Sequence, residues 1–115
     1  MNTKEKSPLG NDWLSREFDP VIAKEVGVDA AIMYRNIVFW CKINQSQGIN
    51  FYEGRYWMYN SIDTFISGAN GVPGFFFWSK KQVRNIMNKL EKSGYVLVGH
   101  FSTGKKCRTK WYTYK

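Results

Sequence analysis

The segment comprising residues 79–93 carries a complete set of helix signals and constrains the fold more than any other part of the chain. Ser79 and Gln82 form the S-x-x-Q pattern of a helix capping box, and a glycine at position 94 is typical of a helix end. Between these signals, apolar residues recur at spacings of three and four, at Val83, Ile86, Met87 and Leu90. We therefore predict an amphipathic helix over residues 79–93 with this apolar face packed inward.

Two further helices are predicted near the start of the chain. Asp19 followed by Pro20 is typical of a helix start, and the first predicted helix covers residues 21–26 up to the next glycine. Asp29 is predicted to cap a second helix over residues 30–42. This second segment is apolar over much of its circumference, which favours a buried position.

The middle of the chain alternates loops with short elements. Residues 44–54 are polar and contain glycine, which predicts a loop. Residues 55–59 (RYWMY) predict a short strand, and residues 61–67 predict a helix of about two turns. Residues 68–74 (GANGVPG) are typical of a turn, and four consecutive aromatic residues, 75–78, follow it.

The C-terminal segment predicts a β-hairpin. Residues 95–101 and 107–114 are strand-like, and the segment between them predicts a turn with a basic tip. If the RYWMY strand pairs with this hairpin, a three-stranded antiparallel sheet results. We therefore predict an α+β fold of the winged helix-turn-helix type, with a helical core and a small three-stranded sheet. Residues 1–19 are predicted to be a flexible N-terminal arm, and residues 20–115 the folded domain.

Positive charge is concentrated in the C-terminal third. Residues 79–115 contain ten of the 17 Lys and Arg residues but only one of the nine acidic residues, so the net charge of +8 arises there. Such a concentration is typical of a surface that contacts nucleic-acid phosphates. Two alternative interpretations are a solvated helix face for the helix and charged protection of an exposed edge for the hairpin.

The outward face of the predicted 79–93 helix has side-chain types that suit DNA recognition. When the apolar residues point inward, one polar stripe remains: Lys81, Arg84, Asn85, Asn88 and Lys92. Arg can pair with guanine, Asn with adenine, and Lys can neutralise phosphate. At the hairpin tip, four residues are predicted to contact a minor groove or the backbone: Thr103, Lys105, Lys106 and Arg108.

The aromatic residues allow more than one interpretation. Trp57, Tyr59, Trp111 and Tyr112 fit either the core or a stacking platform for single-stranded bases. Four consecutive rings at residues 75–78 cannot all point inward, so an aromatic wall inside the domain competes with a contact to another molecule.

Several function classes are disfavoured. The two cysteines and single histidine provide no metal-ligand spacing, so we expect reduced thiols, no metal and no cofactor. Neither a phosphate-binding glycine motif nor a nucleophile set with useful spacing is present, so we do not expect an enzyme. No apolar run approaches the ~18 residues that span a membrane, so we expect a cytoplasmic protein without membrane contact.

Four segments together resemble the winged-helix domain of phage- and plasmid-type replication proteins: DAAIMYRNIVFWC at residues 29–41, NFYEGRYWMYNSIDTF at 50–65, WSKKQVRNIMNKLEKSGYV at 78–96 and RTKWYTY at 108–114. The resemblance covers roughly residues 20–115 and implies binding of origin DNA or organisation of a replisome. It assigns recognition-helix positions to Lys80, Lys81, Gln82, Arg84, Asn85, Asn88 and Lys89, and the wing to residues 105–108.

The predicted function is therefore sequence-selective binding of double-stranded DNA in replication of a mobile element. Transcriptional regulation, and a protein-interaction module that has lost DNA binding, are the alternatives. The sequence leaves the target site undetermined. It also leaves open a homodimer or a further replication protein as partner.

Overall fold

Four helices and seven short strands make up the described part of the chain, which covers residues 17–69, 71–101 and 109–115 of a computed structural model. The helices are α1 (Pro20–Val26), α2 (Val28–Gln47), α3 (Ile62–Ser67) and α4 (Lys80–Ser93). The strands are β1 (Phe51–Tyr52), β2 (Arg55–Tyr56), β3 (Met58–Tyr59), β4 (Gly68–Ala69), β5 (Val72–Pro73), β6 (Val96–Gly99) and β7 (Trp111–Tyr114). The predicted α+β class is confirmed. Residues 1–16 of the predicted arm lie outside the described ranges.

Helix α1 ends where predicted and begins one residue earlier, at Pro20, whereas α2 is longer than predicted at both ends. The Asp19 side chain accepts a hydrogen bond from the Val21 backbone N–H at 2.8 Å, as expected of an N-cap. Helix α2 begins directly after Gly27, whose carbonyl accepts from the Ala31 N–H at 3.0 Å, so the predicted cap Asp29 lies inside its first turn. The helix continues through polar residues until Gly48, which adopts a left-handed conformation with φ of 67°.

The predicted 44–54 loop is wrong at both ends, because residues 44–47 belong to α2 and a hairpin forms in the second half. Strands β1 and β2 pair antiparallel through Phe51↔Tyr56 and Tyr52↔Arg55. Glu53 and Gly54 join them with φ values of 52° and 78°, the conformation of a two-residue hairpin turn.

The predicted RYWMY strand is divided between two sheets. Its first two residues form β2, and its last two form β3, with the buried Trp57 between them. The Trp57 indole N–H donates to the Tyr52 carbonyl at 2.8 Å. The segment is divided because its two halves pair with different strands, β2 with β1 and β3 with β7.

The predicted three-stranded antiparallel sheet is confirmed, with strand order β3-β7-β6. Met58 lies opposite Tyr112, and Val96 lies opposite Tyr114. Both hairpin strands are shorter than the predicted residues 95–101 and 107–114 within the described ranges.

The connection between α3 and α4 is a tight, packed segment. Its predicted turn at residues 68–74 contains the short strand pair β4 and β5. A Cβ atom placed on Gly74 would lie 2.5 Å from both the Phe65 carbonyl oxygen and the Gly68 nitrogen, so no side chain fits there. The Phe75 N–H donates to the Phe65 carbonyl at 2.7 Å, which ties the end of the connection to α3.

One apolar core joins the long helix α2 to α3, α4 and the three-stranded sheet. Met33 and Ile37 of α2 are fully buried, as are Val83 and Leu90 of α4. Phe65, Phe75, Val96 and Tyr112 complete the contact from the other elements. This core fixes which face of α4 points outward.

Candidate nucleic-acid interface

Helix α4 begins with the predicted capping box. The Ser79 hydroxyl accepts from the Gln82 backbone N–H at 3.1 Å, and the Ser79 backbone N–H donates to Gln82 Oε1 at 2.8 Å. Gly94 ends the helix in a left-handed conformation with φ of 84°. The predicted inward face, Val83, Ile86, Met87 and Leu90, is buried, so both the bounds and the orientation of this helix are confirmed.

The opposite face of α4 is a solvent-exposed polar and basic stripe. Its members are the residues that the sequence places there: Lys81, Arg84, Asn85, Asn88 and Lys92. The helix carries five basic residues and one acidic residue, Glu91. Burial raises the pKa of Tyr112, and the negative charge of Glu91 raises it further. The stripe can therefore present amide and guanidinium donors beside positive charge.

Two further predicted recognition residues have local partners. Lys80 Nζ lies 3.1 Å from Asp63 Oδ1 in the first turn of α3, in an ion pair with both side chains largely exposed. The Oε1 atom of Gln82 accepts the capping hydrogen bond. Lys80 thus links α4 to α3, and the capping hydrogen bond of Gln82 uses its amide oxygen rather than its two amide N–H donors.

The remaining predicted position, Lys89, lies on the side of α4 that faces the α1–α2 junction. Its Nζ atom is 3.4 Å from where a Cβ atom of Gly27 would be. Together with Asn85, Lys89 lines an open groove of about 390 Å³ against residues 26–30. Asp29 also lines this groove and places a carboxylate on the side of the stripe that Lys89 occupies.

The four predicted wing residues, Thr103, Lys105, Lys106 and Arg108, lie outside the described residues. The strands that flank them are described, and β6 and β7 pair as far as Gly99↔Trp111. The proposed contact of the hairpin tip with DNA therefore stays a prediction.

The structure separates the aromatic residues into core and surface. Trp57, Trp111 and Tyr112 are buried, which favours the core over a stacking platform, whereas Tyr59 is exposed. In the 75–78 run, Phe75 and Trp78 are buried and stack at a centroid distance of 4.7 Å. Phe76 and Phe77 are exposed, so the predicted aromatic wall accounts for only half of the run. The crowding of four consecutive rings was the sequence signal for this outward pair.

Among the described residues, no group of three or more His, Cys, Asp or Glu side chains is placed to hold a metal ion. Within those residues there is also no helix that combines the length and apolar character needed to cross a lipid bilayer.

Comparison of the chain with protein-family models, with curated proteins and with solved structures found no match.

Proposed function

We propose that this protein binds double-stranded DNA sequence-selectively in the cytoplasm as a winged helix-turn-helix domain, with α4 as the recognition helix. The observation that carries the proposal is the outward stripe of α4. It combines Asn85 and Asn88, which suit adenine, with Arg84, which suits guanine, and it adds lysines that suit phosphate. A solvated helix needs no such combination on one exposed face.

The order of elements supports the same proposal. Helices α3 and α4 follow each other across a packed connection, and the antiparallel strands β6 and β7 come directly after α4. Strand β3 completes the sheet beside β7. In a winged helix-turn-helix domain, the second helix of the pair enters the major groove with its N-terminal residues near base edges. Lys81, Arg84 and Asn85 occupy the first half of α4.

The biological setting of the proposal comes from the sequence resemblance to phage- and plasmid-type replication proteins. By that resemblance, the bound DNA is an origin and the process is replication initiation or replisome organisation of a mobile element. The α4 stripe suits the operator site of a transcriptional regulator equally well. The biological process is therefore tested separately from DNA binding.

The proposal is tested by selecting duplexes from a random-sequence library with the purified protein and sequencing them. We expect a defined site to be enriched. Reversing two charges in the K81E/R84E variant should abolish binding to that site, because both side chains are exposed and their replacement leaves the core intact. Recovery of duplexes that share no common sequence would contradict the proposal. Full binding by the charge-reversed variant would contradict it as well.

A further inference from the structure

Phe76 and Phe77 form an exposed aromatic pair, in which Phe77 also contacts the buried rings of Phe75 and Trp78 edge to face. The side chains of Phe76 and Phe77 are 72% and 53% exposed. The two rings contact each other edge to face at a centroid distance of 5.6 Å. Single exposed apolar side chains are normal on protein surfaces, whereas two adjacent exposed rings form a patch that another molecule can contact.

The segment that carries the pair is anchored on both sides. Phe75 and Trp78 are buried and stacked on each other, and the Trp78 N–H donates to the Phe75 carbonyl at 3.0 Å. The Phe75 N–H is in turn bonded to the Phe65 carbonyl. The exposed rings are therefore held outward by a turn with its ends fixed in the core, so little conformational entropy is lost when they contact a ligand.

The positive charge that follows the pair in the chain indicates what the ligand is. The pair precedes the cap of α4 by two residues, and two lysines follow it in the chain: Lys80, which is paired with Asp63, and Lys81, which has no ion pair among the described residues. Aromatic rings beside cations suit nucleic acid, because bases stack on rings while phosphates pair with ammonium groups.

We propose that Phe76 and Phe77 contact DNA bases next to the N-terminus of α4, and that the preferred DNA site contains an unstacked base step at this point. The inference rests on the proposed DNA-binding function and extends it. Aromatic and other apolar side chains inserted at a base step partly unstack it, and flexible or mismatched steps lower the energy that this requires.

The test uses the duplex recovered by library selection. We expect Phe76→Ala to weaken binding about tenfold, and Phe76→Trp to retain affinity because a ring for stacking is kept. The slope of log affinity against log salt should stay unchanged in both variants, since no phosphate contact is removed. Phe51→Ala, which removes a ring of 55% exposure from the β1–β2 hairpin, is the matched control and should bind normally.

Permanganate, which oxidises unstacked thymines, reports the base step directly. With the wild-type protein we expect enhanced reactivity at one position of the selected duplex, and loss of that enhancement with Phe76→Ala. Unchanged affinity and reactivity in Phe76→Ala would overturn the inference, while the DNA-binding function would stand. If the wild-type protein selects no duplex, the proposed function fails and the inference fails with it.

Discussion

The double variant K81A/R84A tests whether the α4 stripe contacts phosphates. Both side chains are exposed, and among the described residues neither takes part in an ion pair. Each phosphate contact on duplex DNA contributes about 0.9 to the slope of log affinity against log salt, so removal of two contacts should reduce the slope by about 1.8. Between about 50 mM and 200 mM salt, the variant should therefore lose about twelvefold less affinity than the wild-type protein.

The assay is a fluorescence-anisotropy titration of the selected duplex at several salt concentrations. The matched control removes one lysine and one arginine elsewhere, in K42A/R55A. Lys42 lines a groove with Tyr114, and Arg55 donates to the Tyr114 carbonyl at 3.2 Å, so both lie near the end of β7. The control should leave the slope unchanged. An equal reduction in both variants, or none in K81A/R84A, would refute the assignment of α4 as the phosphate-contacting helix.

Three further predictions concern stability and are checked by denaturant or thermal unfolding. Gly74→Ala should destabilise the protein by about 3 kcal/mol or more, because its Cβ would lie 2.5 Å from the Phe65 carbonyl oxygen. The control Gly48→Ala, with open space around its Cβ, should cost only about 1 kcal/mol from its left-handed backbone, and equal losses would contradict the packing argument. Ser79→Ala should cost about 1 kcal/mol through loss of the α4 cap, whereas Ser79→Asp should restore most of it; no loss in the alanine variant would show that the cap is not needed. Burial raises the pKa of Tyr112 above its ordinary value of 10.0, so this group stabilises the folded state fully below pH 10 and loses that contribution as the pH rises through its folded pKa. Tyr112→Phe should therefore lose less stability above pH 10 than the wild-type protein, and parallel curves would count against a shifted pKa.

Helix α4 shows what local signals can predict. The capping hydrogen bonds join Ser79 and Gln82, three residues apart, and Gly94 follows the last apolar residue of the helix by four positions. All of these partners are close in sequence, so the bounds and the exposed stripe follow from the order of residue types. The prediction was correct for the same reason at α1 and α3, where Asp19 and Ser61 provide the caps.

Helix α2 and the first hairpin show where composition misleads. Polar residues do not stop a long helix, because each added residue gains a backbone hydrogen bond, and α2 therefore continues until Gly48. The Glu53-Gly54 pair between Phe51-Tyr52 and Arg55-Tyr56 was a hairpin signal available in the sequence. The division of the RYWMY segment was not available, since it depends on which strands pair with each half.

The order of residue types decides where α4 begins and ends, which of its side chains face water and where positive charge gathers, because those properties depend on neighbours within a few positions. Contacts across the fold decide the rest. Asp63 forms an ion pair with Lys80, and Lys89 lies against the α1–α2 junction. The buried, stacked rings of Phe75 and Trp78 hold the two residues between them outward. These partners come from other elements or from the packed core, so only the assembled chain determines which donors and rings remain free for a ligand.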